Sequence, residues 1–135
     1  MSFWSARRVF LTGGGGFLGG HLRERLESLR AAALFAPRKS ELDLLDAHAV
    51  ERFLADARPD LIVHGAAVVG GIGANREHPG RFFYENAMMG IQLIDLARRF
   101  DVAKFVCLGT VCAYPKYTPV PFFEDDIWED RKSVV

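Results

Sequence analysis

The stretch Val9-Phe10-Leu11-Thr12-Gly13-Gly14-Gly15-Gly16-Phe17-Leu18-Gly19 joins an apolar run to a string of glycines, and leucines follow at positions 18, 22, 26 and 29. In order, this is a strand, a glycine turn and an amphipathic helix. The first turn of a helix leaves backbone N–H groups unpaired and the helix dipole favours negative charge there, so a diphosphate can sit on it where the backbone is bare. Gly13, Gly16 and Gly19 supply that bareness. Their spacing, Gly-x-x-Gly-x-x-Gly, differs from the plain Gly-x-Gly-x-x-Gly fingerprint, although Gly15 satisfies that pattern in part. Taken alone, such glycines need only permit a tight turn; the strand before them and the helix after them point to dinucleotide binding. A nucleoside-triphosphatase loop is excluded, because it ends in Gly-Lys-Ser/Thr and this one ends in Gly19-Gly20-His21.

Working outward, the chain has 135 residues, 50% of them hydrophobic, which is one domain's worth of core. Seventeen basic and seventeen acidic residues balance and are scattered, which argues against nucleic acid or an anionic membrane surface and leaves small molecules as partners. The longest apolar run, residues 61–69, is interrupted by His64 and Gly65 and is too short to span a bilayer. No apolar signal-peptide core precedes Arg7-Arg8, so a cytoplasmic protein is expected. Cys107 and Cys112, five apart, fit neither a disulfide framework nor a zinc pattern and are expected to be reduced thiols.

Four short apolar segments read as buried strands: Val9-Phe10-Leu11, Ala33-Leu34-Phe35-Ala36, Leu61-Ile62-Val63-His64 and Phe105-Val106-Cys107-Leu108. Helices are expected between them. The first covers residues 17–29. The second starts at Asp46 as N-cap, turns Val50, Phe53 and Leu54 inward, and stops at Arg58-Pro59-Asp60. The third runs over residues 79–100 with Phe83, Ala87, Ile91, Ile94 and Ala97 as its repeating inner face, and Met88-Met89 as core filler. The alternation predicts an α/β fold, a Rossmann-type doubly wound parallel sheet that stops after about the fourth strand. The dinucleotide-binding domain takes residues 1–126 and is incomplete, with residues 127–135 as a divergent tail. In the doubly wound order the first and fourth strands are expected side by side, which would put the glycine turn next to Gly109-Thr110-Val111-Cys112.

After the second strand an NAD site would offer an acid to the ribose hydroxyl, whereas this chain offers Arg38-Lys39. A basic pair suits a 2′-phosphate and so favours NADP (NADPH) over NAD; a solvated strand end is the alternative. His21, His48, His64 and His78 lack carboxylate or cysteine neighbours in the pattern of a metal site and read as structural or solvated. The acidic run Glu124-Asp125-Asp126 reads as a solvated loop, and no metal is expected.

Four stretches carry a resemblance to a known family: residues 12–19, Ser40-Glu41-Leu42-Asp43-Leu44-Leu45-Asp46, Ala66-Ala67-Val68-Val69-Gly70-Gly71-Ile72-Gly73-Ala74-Asn75, and Leu108-Gly109-Thr110-Val111-Cys112-Ala113-Tyr114-Pro115-Lys116. Over residues 7–129 the chain resembles the N-terminal part of the extended short-chain dehydrogenase/reductases of the NAD-dependent epimerase/dehydratase type, and within them the GDP-L-fucose synthases. These are NADPH-dependent oxidoreductases that epimerise and reduce GDP-4-keto-6-deoxy-D-mannose to GDP-L-fucose. The resemblance implies a cofactor site made of Gly13, Gly14, Gly15, Gly16, Phe17, Leu18 and Gly19 for the diphosphate and Arg38 or Lys39 for the 2′-phosphate. Asp43 and Leu44 would lie on the adenine side, with Ala66, Ala67, Leu108, Gly109, Thr110 and Val111 around the nicotinamide half. It also implies that Thr110 bonds the substrate carbonyl and that Cys112 exchanges protons beside the 4-keto group. A thiol with an ordinary pKa near 8.5 suits that work, while a small buried apolar cysteine is the bland alternative.

Two local departures are Val68, where some members carry lysine, and Val111, where they carry a second serine. A larger one is that none of Tyr84, Tyr114 and Tyr117 is followed four residues on by Lys. The pair that donates the proton in this family is therefore absent from the chain, which reads as part of an enzyme, inactive alone, with a GDP-linked keto sugar as substrate of the parent and a homo-oligomer left open. The competing hypothesis is a non-catalytic nucleotide-binding or interaction fragment, or a piece of another nucleotide-sugar epimerase or dehydratase.

Overall fold

The computed structural model describes residues 3–128. Four parallel strands form one sheet: β1 (Arg8–Thr12), β2 (Ala33–Phe35), β3 (Leu61–His64) and β4 (Lys104–Cys107), in the order β2-β1-β3-β4. The helices are α1 (Phe17–Ser28), α2 (Ala47–Ala57), α3 (Ile72–Glu77) and α4 (Pro79–Arg99). Short 3-10 turns cover Phe3–Ala6, Val111–Ala113 and Glu124–Trp128. Residues 129–135, most of the expected tail, lie outside the described residues.

β1 is the centre of the molecule, with Val9, Phe10 and Leu11 fully buried between two apolar layers. Phe10 and Ile62 face a cluster with Val50 and Leu54 of α2 and with Met89, Leu93, Leu96 and Ala97 of α4. Val9, Leu11 and Leu61 face the other way, onto Leu26 of α1. Alternate residues of a buried strand feed opposite faces, which is why Val9, Phe10 and Leu11 are apolar in succession; β2 and β4, expected as buried, are edge strands and only partly covered. α2 begins as its sequence demands: Asp46 Oδ1 accepts the N–H of Ala49 at 2.9 Å. It ends where Arg58 turns left-handed at φ 42° before Pro59.

The strand order corrects one expectation. β1 pairs with β3 (Val9↔Leu61 through Thr12↔His64), and β4 lies one strand further out, against β3. Residues 36–46, beside β2, form turns instead of a further strand: the N–H of Arg38 bonds Glu41 Oε2, that of Leu42 bonds the Arg38 carbonyl, and that of Leu45 bonds Asp43 Oδ1. The chain then crosses back through α2 to the far side of β1, so the winding reverses between β1 and β3. The glycine turn therefore neighbours residues 65–67, and residues 109–112 stand one strand away.

α4 corrects another. Phe83, Ile91 and Ile94 are 78%, 60% and 56% exposed. Of the expected inner face only Ala97 is buried, and the packed face is Met89, Leu93, Leu96 and Ala97. Both sets recur at helical spacing, and the sheet and α2 decide which one is covered. α3, which begins inside the Gly70–Asn75 stretch and runs on to Glu77, was not expected from the sequence; Asn75 Nδ2 donates to the carbonyls of Gly70 and Gly71 and braces its start. Among the described residues no helix is long and apolar enough to cross a membrane.

Candidate functional site

Ligands of doubly wound sheets bind outside the carboxyl ends of the strands, where the winding reverses. Here that place is the crevice above Thr12 and His64. Gly13 follows Thr12 with φ +75°, the left-handed region, and a Cβ on it would stand 2.7 Å from Gly65 C and Ala66 N. The turn after β1 and the loop after β3 thus touch backbone to backbone. At Gly19 a Cβ would stand 1.9 Å from the Gly13 carbonyl oxygen, so α1 packs directly on the turn. Gly16 is the N-cap of α1 and makes no side-chain cap, and no acidic residue occupies the first turn. Around Gly15 there is open space. A helix N-terminus with no side-chain cap faces a cavity, the arrangement that accepts an anion.

That cavity measures about 580 Å³ and collects most of the expected cofactor residues: Gly13, Gly15, Gly16, Phe17, Leu18 and Gly19 at one side, Arg38, Lys39, Asp43 and Leu44 at another, Ala66 and Ala67 at a third. Gly14 is not among its lining residues; it is buried against the residue that follows β2, where a Cβ would stand 2.9 Å from Ala36 Cβ. Thr12, Pro37, Gly65, Val68, Val69 and Met89 also line the cavity and were not expected from the sequence as cofactor residues. The signal for Thr12 was its place as the last strand residue before the glycines. The loop at Val68 is fixed from below by Asn86 of α4, whose Oδ1 accepts the Val68 N–H at 2.8 Å and whose Nδ2 donates to the Val68 carbonyl at 2.9 Å.

Under the crevice, Thr12 Oγ1 accepts the N–H groups of Gly65 (3.2 Å) and Ala66 (3.1 Å) and lies 2.8 Å from His64 Nδ1. His64 is buried, and desolvation lowers its pKa from the ordinary 6.5, because the charged ring would lose its water.

Leu108, Gly109, Thr110, Val111 and Cys112 do not line this cavity; they follow β4 and are exposed. Leu108 is the link between the two regions: its N–H bonds the His64 carbonyl at 3.0 Å, and its Cδ1 would meet a Cβ on Gly65 at 3.0 Å. Thr110 caps the turn Val111–Ala113, its Oγ1 accepting the Cys112 N–H at 3.2 Å. Both cysteines are free and exposed, so Cys112 is not the small buried residue of the bland alternative.

The family model described as "NAD dependent epimerase/dehydratase family" matches residues 9–132. The chain is 39% identical over 123 residues to the GDP-L-fucose synthase of Escherichia coli (strain K12), covering 91% of this chain and 38% of that protein. To the GDP-L-colitose synthase of Yersinia pseudotuberculosis it is 36% identical over 120 residues, 89% of this chain and 39% of that protein. Among solved structures, the GDP-mannoheptose C4 reductase from Campylobacter jejuni with NADP bound is similar with a TM-score of 0.83 and 27% identity, over 92% of this chain and 39% of that one. The chain thus spans 38–39% of the length of these relatives.

Proposed function

The chain belongs to the NAD dependent epimerase/dehydratase family, and from that premise we propose that it is the NADP-binding part of an enzyme that epimerises and reduces a GDP-linked 4-keto sugar, as GDP-L-fucose synthases do. The observation that carries this reading is the meeting, in one cavity, of an uncapped helix N-terminus with Arg38 and Lys39. The residues present fit the cofactor. Gly13, Gly15 and Gly16 leave room for a diphosphate, which the N–H groups of Phe17, Leu18 and Gly19 would bond. Arg38 and Lys39 would pair with the 2′-phosphate, Asp43 and Leu44 would border the adenine, and Ala66 and Ala67 would border the nicotinamide half with Leu108, Gly109 and Val111 beyond them.

When bound, NADPH supplies a hydride. The chain's own contribution to the sugar would come from Thr110 and Cys112. Because Thr110 Oγ1 accepts the Cys112 N–H, its hydroxyl hydrogen points elsewhere and is available to a keto oxygen, which polarises the carbonyl and acidifies the neighbouring carbons. The exposed Cys112 thiol, two residues on, would move the protons at those carbons.

The cofactor assignment is tested by replacing Arg38 and Lys39 together with Ala and titrating NADPH and NADH. A charge-assisted contact of about 1.5–3 kcal/mol is at stake, so NADPH affinity should fall about tenfold to hundredfold. NADH affinity should stay as it was. Equal loss of both cofactors overturns the assignment.

A further inference from the structure

We propose that His64 is a positioning residue of the cofactor crevice: its unprotonated Nδ1 takes the hydroxyl hydrogen of Thr12, which leaves both lone pairs of that oxygen to hold the backbone of Gly65 and Ala66 against the glycine turn. The role rests on the cofactor reading given above and deepens it.

The argument is one of hydrogen-bond accounting. A threonine hydroxyl has one hydrogen and two lone pairs. At Thr12 the N–H groups of Gly65 and Ala66 occupy the lone pairs, at 3.2 and 3.1 Å. The Gly65 N–H is shared, since it also reaches the Thr12 carbonyl at 3.2 Å. The remaining partner, His64 Nδ1 at 2.8 Å, must then receive the hydroxyl hydrogen. A ring that receives a hydrogen at Nδ1 carries its own proton on Nε2 and is neutral. With a proton on Nδ1, Thr12 would have three donors aimed at two lone pairs and its own hydroxyl hydrogen no acceptor, and the Gly65 amide would fall back on the Thr12 carbonyl, loosening the hold on the loop.

The placement is built into the sheet. Thr12 and His64 are register partners on adjacent parallel strands, so their side chains share one face. His64 is 6% exposed and its ring centroid lies 6.3 Å from that of Phe105 on β4, which restrains the imidazole from the far side. Desolvation favours the neutral ring as well. What the bond holds is the cavity wall itself: Gly65, Ala66 and Ala67 line the crevice, and the Gly65–Ala66 backbone sits where a Cβ on Gly13 would be. A shift of that loop would move the wall against which the cofactor is to lie.

The test uses the chain with four substitutions. His64→Leu and Thr12→Val keep volume and remove the bond; His64→Asn keeps an acceptor near the Nδ1 position, and Thr12→Ser keeps the hydroxyl. The first pair should bind NADPH about tenfold or more weakly and exchange the Gly65 and Ala66 amides about tenfold or more faster, while the second pair stays within about threefold of the unsubstituted chain. Long-range proton–nitrogen NMR should show the His64 proton on Nε2. A proton found on Nδ1, or unchanged exchange and affinity in His64→Leu, overturns the proposal; if that variant does not fold, the Thr12 pair decides by the same measures. Failure of the unsubstituted chain to bind NADPH sinks the cofactor reading instead. The positioning of the loop is then decided by amide exchange and by the tautomer.

Discussion

Gly19 and Gly20 stand side by side in α1 and meet opposite surroundings. A Cβ at Gly19 would fall 1.9 Å from a backbone oxygen of the glycine turn; at Gly20 nothing lies within 4 Å. Gly19→Ala should therefore force the helix off the turn and cost about 1–3 kcal/mol or more, with loss of NADPH binding. Gly20→Ala should raise stability by about 0.5–1 kcal/mol, since it only removes freedom from the unfolded chain. Urea unfolding of both variants checks this, and a destabilised Gly20→Ala would contradict it. The spacing of the glycines and the strand–turn–helix they join were legible in the sequence; which of two neighbours is irreplaceable was not, because the answer lies in how closely two backbones approach. His64 was legible only as a structural histidine. Its bond to Thr12 depends on strand register, which no local pattern records. Since burial lowers the pKa of His64 from 6.5, the unfolded chain takes up its proton at higher pH than the folded one. Stability should thus be fully present above pH 6.5 and fall as pH drops through 6.5 toward the lowered folded value, with a slope of at most about 1.4 kcal/mol per pH unit from this group. Unfolding midpoints measured from pH 7.5 downward should show this decline, and His64→Leu should flatten it.

Among the elements, α4 carries the clearest lesson. It is apolar on two sides, and the spacing of Phe83, Ala87, Ile91 and Ile94 is as regular as that of Met89, Leu93, Leu96 and Ala97. Periodicity finds a helix and its stripes. It does not say which stripe the sheet will cover, because that follows from where α4 lies relative to β1, β3 and α2. Leu93 is 0% exposed and Ile94 is 56% exposed, though they are adjacent and chemically alike. Leu93→Ala should cost about 2–5 kcal/mol, the usual penalty for a cavity in a packed core. Ile94→Ser should change stability by about 0.5 kcal/mol or less. Thermal or urea denaturation distinguishes them, and equal losses would mean that the outer stripe is covered in solution. By contrast, the limits of α2 were readable because they are chemical: an aspartate that caps, then an Arg-Pro that stops.

At the scale of the molecule, the number and parallel sense of the strands were legible, and their order was misread at one point. Leu42 and Leu44 are buried as a strand's residues would be, yet residues 36–46 turn rather than extend, and this moves β3 beside β1 and β4 outward. The consequence divides the site. The crevice proposed for the cofactor is lined by residues near β1, β2 and β3, while Thr110 and Cys112 stand one strand away and exposed to water. Reduction of a 4-keto group leaves an alkoxide that needs a proton, and a positioned acid is typically worth about two to four orders of magnitude in rate. None of Tyr84, Tyr114 and Tyr117 has a lysine four residues on, and nothing among the described residues shields Thr110 and Cys112 from solvent, so their dipoles act in water, where they stabilise charge weakly. The 135-residue chain should accordingly bind NADPH yet oxidise none of it in the presence of GDP-4-keto-6-deoxy-mannose. Absorbance of the reduced nicotinamide, followed against a protein-free control, is the measurement. A rate clearly above that control would place a proton donor within this chain and overturn the expectation that it is inactive alone.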